Sequence, residues 1–231
     1  MSKGSFFKNN PIKDSLIKNG AMLGAFAIVT TALIAVTFFG TKDTIEEQKR
    51  RKLLSVLNEV VPSSLHTNPL YADCTVIDSS ALGPGNHAVY RARLNGQPSG
   101  LVVQATAPDG YSGNIDMVIG VDVNLNVLGV RVVEHKETPG LGDKVELAIS
   151  DWIKTFAGKD FSSDNLAPWQ VKKDGGEFDQ FTGATITPRA VVNTVKNTLI
   201  YVEENQTRLF EAPNQCRIGN DINADSQEQP S

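Results

Sequence analysis

The sequence is poor in the residues that metal sites and many catalytic sites require. Its 231 residues include two cysteines and three histidines. Cys74 and Cys216 are far apart and form no Cys-x-x-Cys pattern, which argues against a zinc or iron–sulfur site. His66, His87 and His135 fit no paired metal-ligand spacing. We therefore predict no metal site and no catalytic residue. A disulfide between the two cysteines stays open, because it requires an oxidising compartment.

Hydrolase and nucleotide-binding motifs are missing as well. The chain has no G-x-S-x-G elbow, no P-loop and no G-x-G-x-x-G after a strand. Its net charge is −4, and its one basic tract runs from Lys49 to Lys52. A nucleic-acid-binding surface needs more positive charge than this, so no nucleic acid partner is expected. The basic tract is interpreted as a solvated helix face, with contact to anionic membrane lipid as the second interpretation.

One long apolar run is present near the N-terminus. Residues 19–41 contain no charge, and a helix of this length can cross a hydrocarbon core of about 30 Å. A signal peptide is the rival interpretation, because a basic leader over residues 1–18 precedes the run. The run is longer than a usual signal-peptide core, and the segment from Phe38 to Lys42 is a poor cleavage site. We predict an uncleaved anchor, whose flanking charges do not decide its orientation.

The elements after the anchor predict an α+β fold, with a mainly antiparallel sheet and packed helices. Residues 43–61 have the pattern of a helix, with Thr44 and Glu47 as a capping box and Pro62 as its stop. A hairpin turn is expected from Asp122 to Asn126. Four strands are predicted from β-branched and alternating residues: 88–94, 100–107, 115–123 and 127–133.

Two more helices are predicted towards the C-terminus. The first follows the strands, with Trp152 assigned to the core rather than to a cofactor. Its apolar face would contain Val145, Ile149, Trp152, Ile153 and Phe156. Residues 159–173 are expected to form a loop. The second helix would start close to Pro188 and end near Phe210, before a polar tail over residues 211–231 that is expected to be disordered at its end.

The start of the last helix is the most informative stretch of the chain. Thr187 is predicted as its N-cap and Pro188 as its first residue, where the fixed φ of proline suits a helix. Free backbone N–H groups and the positive end of the helix dipole would meet there, so the loop could hold a phosphate. The alternative is a threonine that only caps a helix.

The residues of this loop resemble a known motif. Asp179-x-x-Thr182-Gly183-Ala184-Thr185-x-Thr187 is similar to the flavinylation motif of the FMN-binding domain family. The resemblance implies that Thr187 carries FMN through a phosphoester bond to its hydroxyl. It also implies that a flavin transferase recognises Asp179, Gly183 and Ala184 during maturation. Thr185 and Thr182 lie in the same cofactor-binding loop and are the next candidates for attachment.

Two further signatures of the same family are present. His135-Lys-Glu-Thr138-Pro-Gly140-Leu141-Gly142 matches its HxETPGLG signature, which implies that Thr138, Gly140, Leu141 and Gly142 lie against the flavin ring. The four residues from Gly110 to Gly113 match another signature, which implies that Tyr111 and its neighbouring backbone lie near the cofactor. Without the resemblance, both stretches would be interpreted as simple turns.

The family includes the G subunit of the Rnf electron-transport complex and the C subunit of the sodium-pumping NADH:quinone reductase. The single anchor and the sequence FTGATITPRAVV look most like the G subunit of the Rnf complex. The resemblance implies a membrane-anchored electron carrier in the bacterial inner membrane. A connector over residues 42–86 would lead to a periplasmic FMN domain over residues 87–210. Other membrane subunits, a flavin transferase and membrane lipid are the expected partners. The alternatives are a C-type subunit, or a membrane-tethered flavin-binding module for regulation or assembly.

Overall fold

The computed structural model describes residues 11–216, and the predicted leader and tail lie partly outside this range. The chain divides after Arg51 into two compact units. The first contains most of helix α1, Pro11–Val60. Within α1, Ser15–Lys42 is long and apolar enough to cross a membrane, and none of its most apolar stretch is buried against protein. The apolar run therefore forms the helix that an anchor requires.

The predicted helix start at residue 43 is wrong. Helix α1 passes through this point without a break and ends at Val60, two residues before Pro62. No cap is needed inside a continuous helix, and just before this point the Thr41 hydroxyl donates to the carbonyl of Thr37 (2.8 Å). A threonine whose hydroxyl bonds the preceding turn fits the middle of a helix.

The second unit is built on a five-stranded antiparallel sheet, in which each strand pairs with its neighbours in the sequence. The α+β prediction and the four predicted strands are confirmed. The turn between the last two strands is also confirmed, because Asp122 Oδ1 accepts from the N–H groups of Asn124 and Asn126. A further edge strand precedes the predicted four. The strands are β1 Cys74–Asp78, β2 Asn86–Leu94, β3 Gln97–Gly110, β4 Gly113–Asp122 and β5 Val127–Glu134.

Each face of the sheet is covered by a helix. Side chains alternate between the two faces along a strand, so neighbouring residues of one strand belong to different cores. Leu101 and Val103 face the larger core, which includes the buried side of helix α2, Ile186–Glu211. Val102 faces the smaller core, which contains Leu57 and Val60 from the end of α1. The last turns of α1, inside the helical pattern predicted over residues 43–61, therefore form a packing surface for the sheet.

The segment after β5 differs from the prediction. Two short 3-10 helices, Gly142–Val145 and Asp151–Phe156, replace the expected α-helix, and Ile149 between them is exposed. Aromatic packing explains the difference, because Trp152 contacts both Phe156 and Phe181 edge-on. Trp152 itself is buried and its indole N–H donates to the carbonyl of Asp179. Its assignment to the core is confirmed.

The chain beyond α2 is fastened to the edge of the sheet. Cys74 in β1 and Cys216 form a disulfide across 142 residues of sequence, with their Cα atoms 5.2 Å apart. The backbone N–H of Gln215 donates to the carbonyl of Cys74 (2.8 Å). The side chain of Gln215 accepts from the N–H of Val76. These contacts occupy part of the open edge of β1, which would otherwise present unpaired backbone groups.

Candidate functional site

The first turn of α2 brings Thr187 into the interior. The helix begins at Ile186, so Thr185 holds the cap position and makes no side-chain cap bond. The prediction that Thr187 caps the helix is therefore wrong, as is the placement of Pro188 at its first position. Thr187 is fully buried and its hydroxyl donates to the Glu137 carboxylate instead. Pro188 is still tolerated, because the N–H groups of the first helical turn have no partner within the helix.

A cavity of about 300 Å³ lies where three segments meet. The segments are the hairpin between β3 and β4, the loop after β5, and the loop that leads into α2. Eight of the ten predicted cofactor-binding residues line it, while Thr182 and Gly140 do not. Glu137 and Ile186 line it without having been predicted. The lining residues are Tyr111, Glu137, Thr138, Leu141, Gly142, Gly183, Ala184, Thr185, Ile186 and Thr187.

Glu137 is the buried acid of this site. Its side chain is 5% exposed, and Oε1 accepts from the backbone N–H of Ser112 (2.8 Å). Its other oxygen, Oε2, accepts from the Thr187 hydroxyl. The residue therefore joins the β3–β4 hairpin to the start of α2. Its place within the HxETPGLG signature was the one sequence signal that could have identified it.

The mouth of the cavity is apolar and open to solvent. Tyr111, Leu141 and Ile186 are all exposed, although large apolar side chains are usually buried. The carbonyl of Thr138 accepts from the N–H groups of Leu141 and Gly142 (both 3.1 Å), which fixes the turn that presents Leu141. A rim of this kind suits a flat aromatic ligand that remains partly accessible.

The loop before α2 is also fastened from outside the cavity. Arg189 in the first turn contacts Asp174 with both Nε (2.6 Å) and Nη2 (2.9 Å). The hydrogen bond from Arg189 lowers the pKa of Asp174, and the same bond raises the pKa of Arg189. Asp179, a predicted recognition residue, is exposed and pairs with Lys172 (2.6 Å). Within residues 11–216, no group of three or more His, Cys, Asp or Glu side chains is placed to hold a metal ion.

Gly142 is required at its position by close packing. A Cβ atom there would lie 2.7 Å from Glu137 Oε2 and 2.8 Å from Thr187 Oγ1. We expect Gly142→Ala to lower the free energy of unfolding by about 1–3 kcal/mol, as overpacking of a core does. Thermal unfolding of the purified chain measures this. Gly129→Ala is the matched control, since its Cβ would meet Val60 at an ordinary 3.6 Å. Equal loss in both variants would contradict close packing at Gly142.

Comparison with known proteins identifies the family of the chain. The FMN-binding domain family matches residues 110–200, and the RnfG N-terminal region matches residues 8–60. A relative from Pseudoalteromonas atlantica, the G subunit of an ion-translocating oxidoreductase complex, is 50% identical over 89% of this chain and 97% of its own. The chain belongs to this family of G subunits. Relatives of the same name from Vibrio atlanticus (49% identical, 88% and 98% covered) and Shewanella baltica (45%, 91% and 100%) agree.

Membership of this family makes FMN the cofactor of the domain. The residues of the cavity fit that group. A hydroxyl and a helix N-terminus lie at one wall, suited to a phosphate, and an apolar rim lies at the mouth, suited to a flavin ring. The family match and the single apolar segment of α1 also make this G subunit a single-pass membrane protein.

Proposed function

We propose that the chain carries FMN esterified to Thr187 and acts as an electron-carrying subunit of an ion-translocating oxidoreductase complex. The observation that carries the proposal is the Thr187 hydroxyl, which lies in the wall of the cavity at the start of α2. A threonine hydroxyl forms a phosphoester without any other change to the chain. The names of the relatives, which describe parts of a larger complex, support the role.

The charge of the cavity favours a covalent bond over an ionic one. Glu137 is the one charged residue of the lining, and it is acidic. Phosphate groups that are bound reversibly are usually held by arginine or lysine. Here the backbone N–H groups at the start of α2 offer a partial positive charge. An ester to Thr187 would retain the cofactor where these groups alone would hold it weakly.

The chain supplies position, and the cofactor supplies the redox chemistry. Bound FMN exchanges one or two electrons, so it can connect one-electron with two-electron centres. The exposed rim of Tyr111, Leu141 and Ile186 would leave the ring within reach of redox centres in neighbouring subunits. A covalent tether keeps the cofactor at a fixed effective concentration beside them. Other membrane subunits are the partners in this role.

The attachment site is tested by peptide mapping. The full chain is produced with a flavin transferase, purified, denatured and digested. We expect the fluorescent peptide to contain Thr187 and to carry the mass of FMN less one water. A chain without covalent flavin under these conditions contradicts the proposal.

In the assembled complex the flavin should be reduced and reoxidised during turnover, and a flavin that stays in one state favours a regulatory or assembly role.

A carrier should also lack an enzymatic activity of its own. The purified protein with its flavin is mixed with soluble electron donors and acceptors, and flavin absorbance is followed. Rapid turnover of a soluble substrate by the isolated protein contradicts the carrier role.

We further propose that the FMN domain lies on the periplasmic side, with an uncleaved anchor and a cytoplasmic N-terminus. The disulfide between Cys74 and Cys216 supports this side, because disulfides persist in the periplasm and are rare in the cytosol. Membrane lipid would surround the anchor. When intact cells are lysed and denatured in an alkylating reagent, we expect neither cysteine to be alkylated unless a reductant is added first. Free thiols before reduction contradict the periplasmic location.

A further inference from the structure

The segment in front of α2 forms a tight turn that is open to solvent. The N–H of Ala184 donates to the carbonyl of Phe181 (3.2 Å), and these two residues close the turn as an isolated antiparallel bridge. Gly183 has a φ of 82°, a left-handed conformation that glycine adopts readily. Thr182 and Gly183 are exposed. This part of the flavinylation motif is therefore displayed on the surface, where a transferase can bind it.

One buried indole fastens the start of this turn to the core. Trp152 is 8% exposed, and its Nε1–H donates to the carbonyl of Asp179 (2.8 Å). Its ring meets the ring of Phe181 edge-on, with the two centroids 5.1 Å apart. It also meets Phe156 edge-on, at 5.5 Å. Two of the three residues from Asp179 to Phe181 are thus held by a side chain that lies 27 residues before Asp179 in the sequence.

The bond from Trp152 also affects the direction of the Asp179 side chain. The carbonyl of Asp179 points to the buried indole, whereas its carboxylate is 66% exposed and pairs with Lys172 at the surface. A hydrogen bond to the backbone of this residue therefore limits the directions in which its carboxylate can be presented. The family resemblance assigns Asp179 to recognition by a flavin transferase, so its direction matters for that contact.

Apolar packing alone does not require an indole at this position. A phenylalanine could keep the edge-on contacts with Phe181 and Phe156, but it has no donor for the carbonyl of Asp179. Without the donor, this carbonyl would stay unpaired or would turn to water, and the start of the turn would lose its fixed arrangement. The indole N–H is therefore the feature of Trp152 that packing leaves unexplained.

We propose that Trp152 is a positioning residue for flavin attachment. By holding the Asp179 carbonyl and the Phe181 ring, it keeps the turn and the Asp179 carboxylate in the arrangement that a flavin transferase binds. The inference rests on the proposed covalent attachment of FMN to a threonine in the segment from Thr182 to Thr187. It is independent of which of these threonines accepts the flavin.

Trp152 takes no part in the chemistry of attachment. The flavin donor in the test is flavin adenine dinucleotide, an anhydride that contains FMN. The threonine oxygen forms a bond to the flavin phosphorus as the anhydride P–O bond breaks. Adenosine monophosphate leaves with the electron pair of that bond, the threonine proton passes to solvent, and nothing is oxidised or reduced. Trp152 acts before these steps, when the transferase binds the chain.

The test measures attachment kinetics on the purified full chain in detergent, with a flavin transferase and flavin adenine dinucleotide. Covalent flavin is read by fluorescence after denaturation, at a series of chain concentrations. We expect Trp152→Phe to raise the KM for the chain about five- to tenfold, the scale on which one hydrogen bond changes an equilibrium constant. The kcat should stay within about twofold, because a loosened turn weakens binding and leaves the chemical step of the bound chain unchanged.

Trp169→Phe is the matched control, because it makes the same substitution in the same core. Trp169 is 2% exposed, and its ring packs against Phe161 and Phe178. This variant should leave the KM unchanged. Thermal unfolding shows whether each variant is folded at the assay temperature. A variant that is less stable but still folded keeps its KM, so the KM separates positioning from a contribution to stability.

The inference is overturned if Trp152→Phe has the wild-type KM, if its kcat falls while its KM is unchanged, or if both tryptophan variants raise the KM equally. If Trp152→Phe does not fold, Phe181→Leu takes its place, because it removes the edge-on contact and keeps an apolar side chain. It should raise the KM as well, and a wild-type KM then overturns the inference. Failure of the proposed function looks different, since the wild-type chain itself would then take up no covalent flavin.

Discussion

Thr187→Ala should abolish covalent flavin completely, whereas Thr185→Ala and Thr182→Ala should retain it. Thr187 is the buried threonine whose hydroxyl meets the acid of the cavity. The Thr185 side chain lines the cavity without making a cap bond, and Thr182 lies outside the lining. Each chain is co-expressed with a flavin transferase, denatured, and compared by in-gel fluorescence at equal protein load.

Thr187→Ser is the matched control for this experiment, because it keeps a hydroxyl and removes a methyl group. A fluorescent Ser variant beside a dark Ala variant shows that the hydroxyl, rather than the shape of the residue, is required. A bright Ala variant contradicts attachment at Thr187 and directs attention to Thr185 and then Thr182. Because Thr187 is fully buried, the Ala variant must also retain the wild-type unfolding temperature for its dark band to be informative.

Local sequence patterns predicted the sheet well, because the alternation of side chains records which face of a strand is buried. Leu101, Val102 and Val103 alternate between two separate cores, and the pattern of β-branched residues carried that information. Strand β1 was not predicted, because it is short and lies at the edge. Its place depends on the tail through Cys216, and the sequence left that disulfide open.

The residues of the site that were predicted all lie within short sequence motifs, because a motif is recognised only when its residues are close together in the sequence. The three signatures meet at one cavity, which the family resemblance implied and which local sequence patterns could not show. Glu137 was missed because its partners, Ser112 and Thr187, lie far away in sequence. The same contact explains the error at the start of α2. A threonine followed by proline favours a cap on local grounds, and the hydrogen bond to Glu137 overrides that preference.

Arg91 had no local signal in the sequence, yet its buried side chain makes contacts with six different residues among those that the structure describes. It is 2% exposed, and its Nε lies 2.8 Å from Asp73 Oδ1. Its guanidinium donates to the carbonyl of Cys74 in β1 and to four carbonyls where α2 ends and the tail begins: Leu209, Phe210, Ala212 and Pro213. These carbonyls accept from one rigid group, so the end of α2 and the disulfide-linked tail are held against the sheet together.

Removing this side chain should therefore cost much of the stability of the domain. We expect Arg91→Met to lower the free energy of unfolding by about 3–5 kcal/mol, because the buried carbonyls lose their donor and Asp73 keeps only its contact with Arg93. Arg131→Met is the control. Its partner Glu59 is 47% exposed, and such a pair contributes less than about 1 kcal/mol. Trp152 and Trp169 both lie in the larger core, so tryptophan fluorescence during denaturant unfolding of the full chain reports on this domain. Equal losses in the two variants would show that the buried guanidinium does not hold the tail, and that the disulfide is the main fastening.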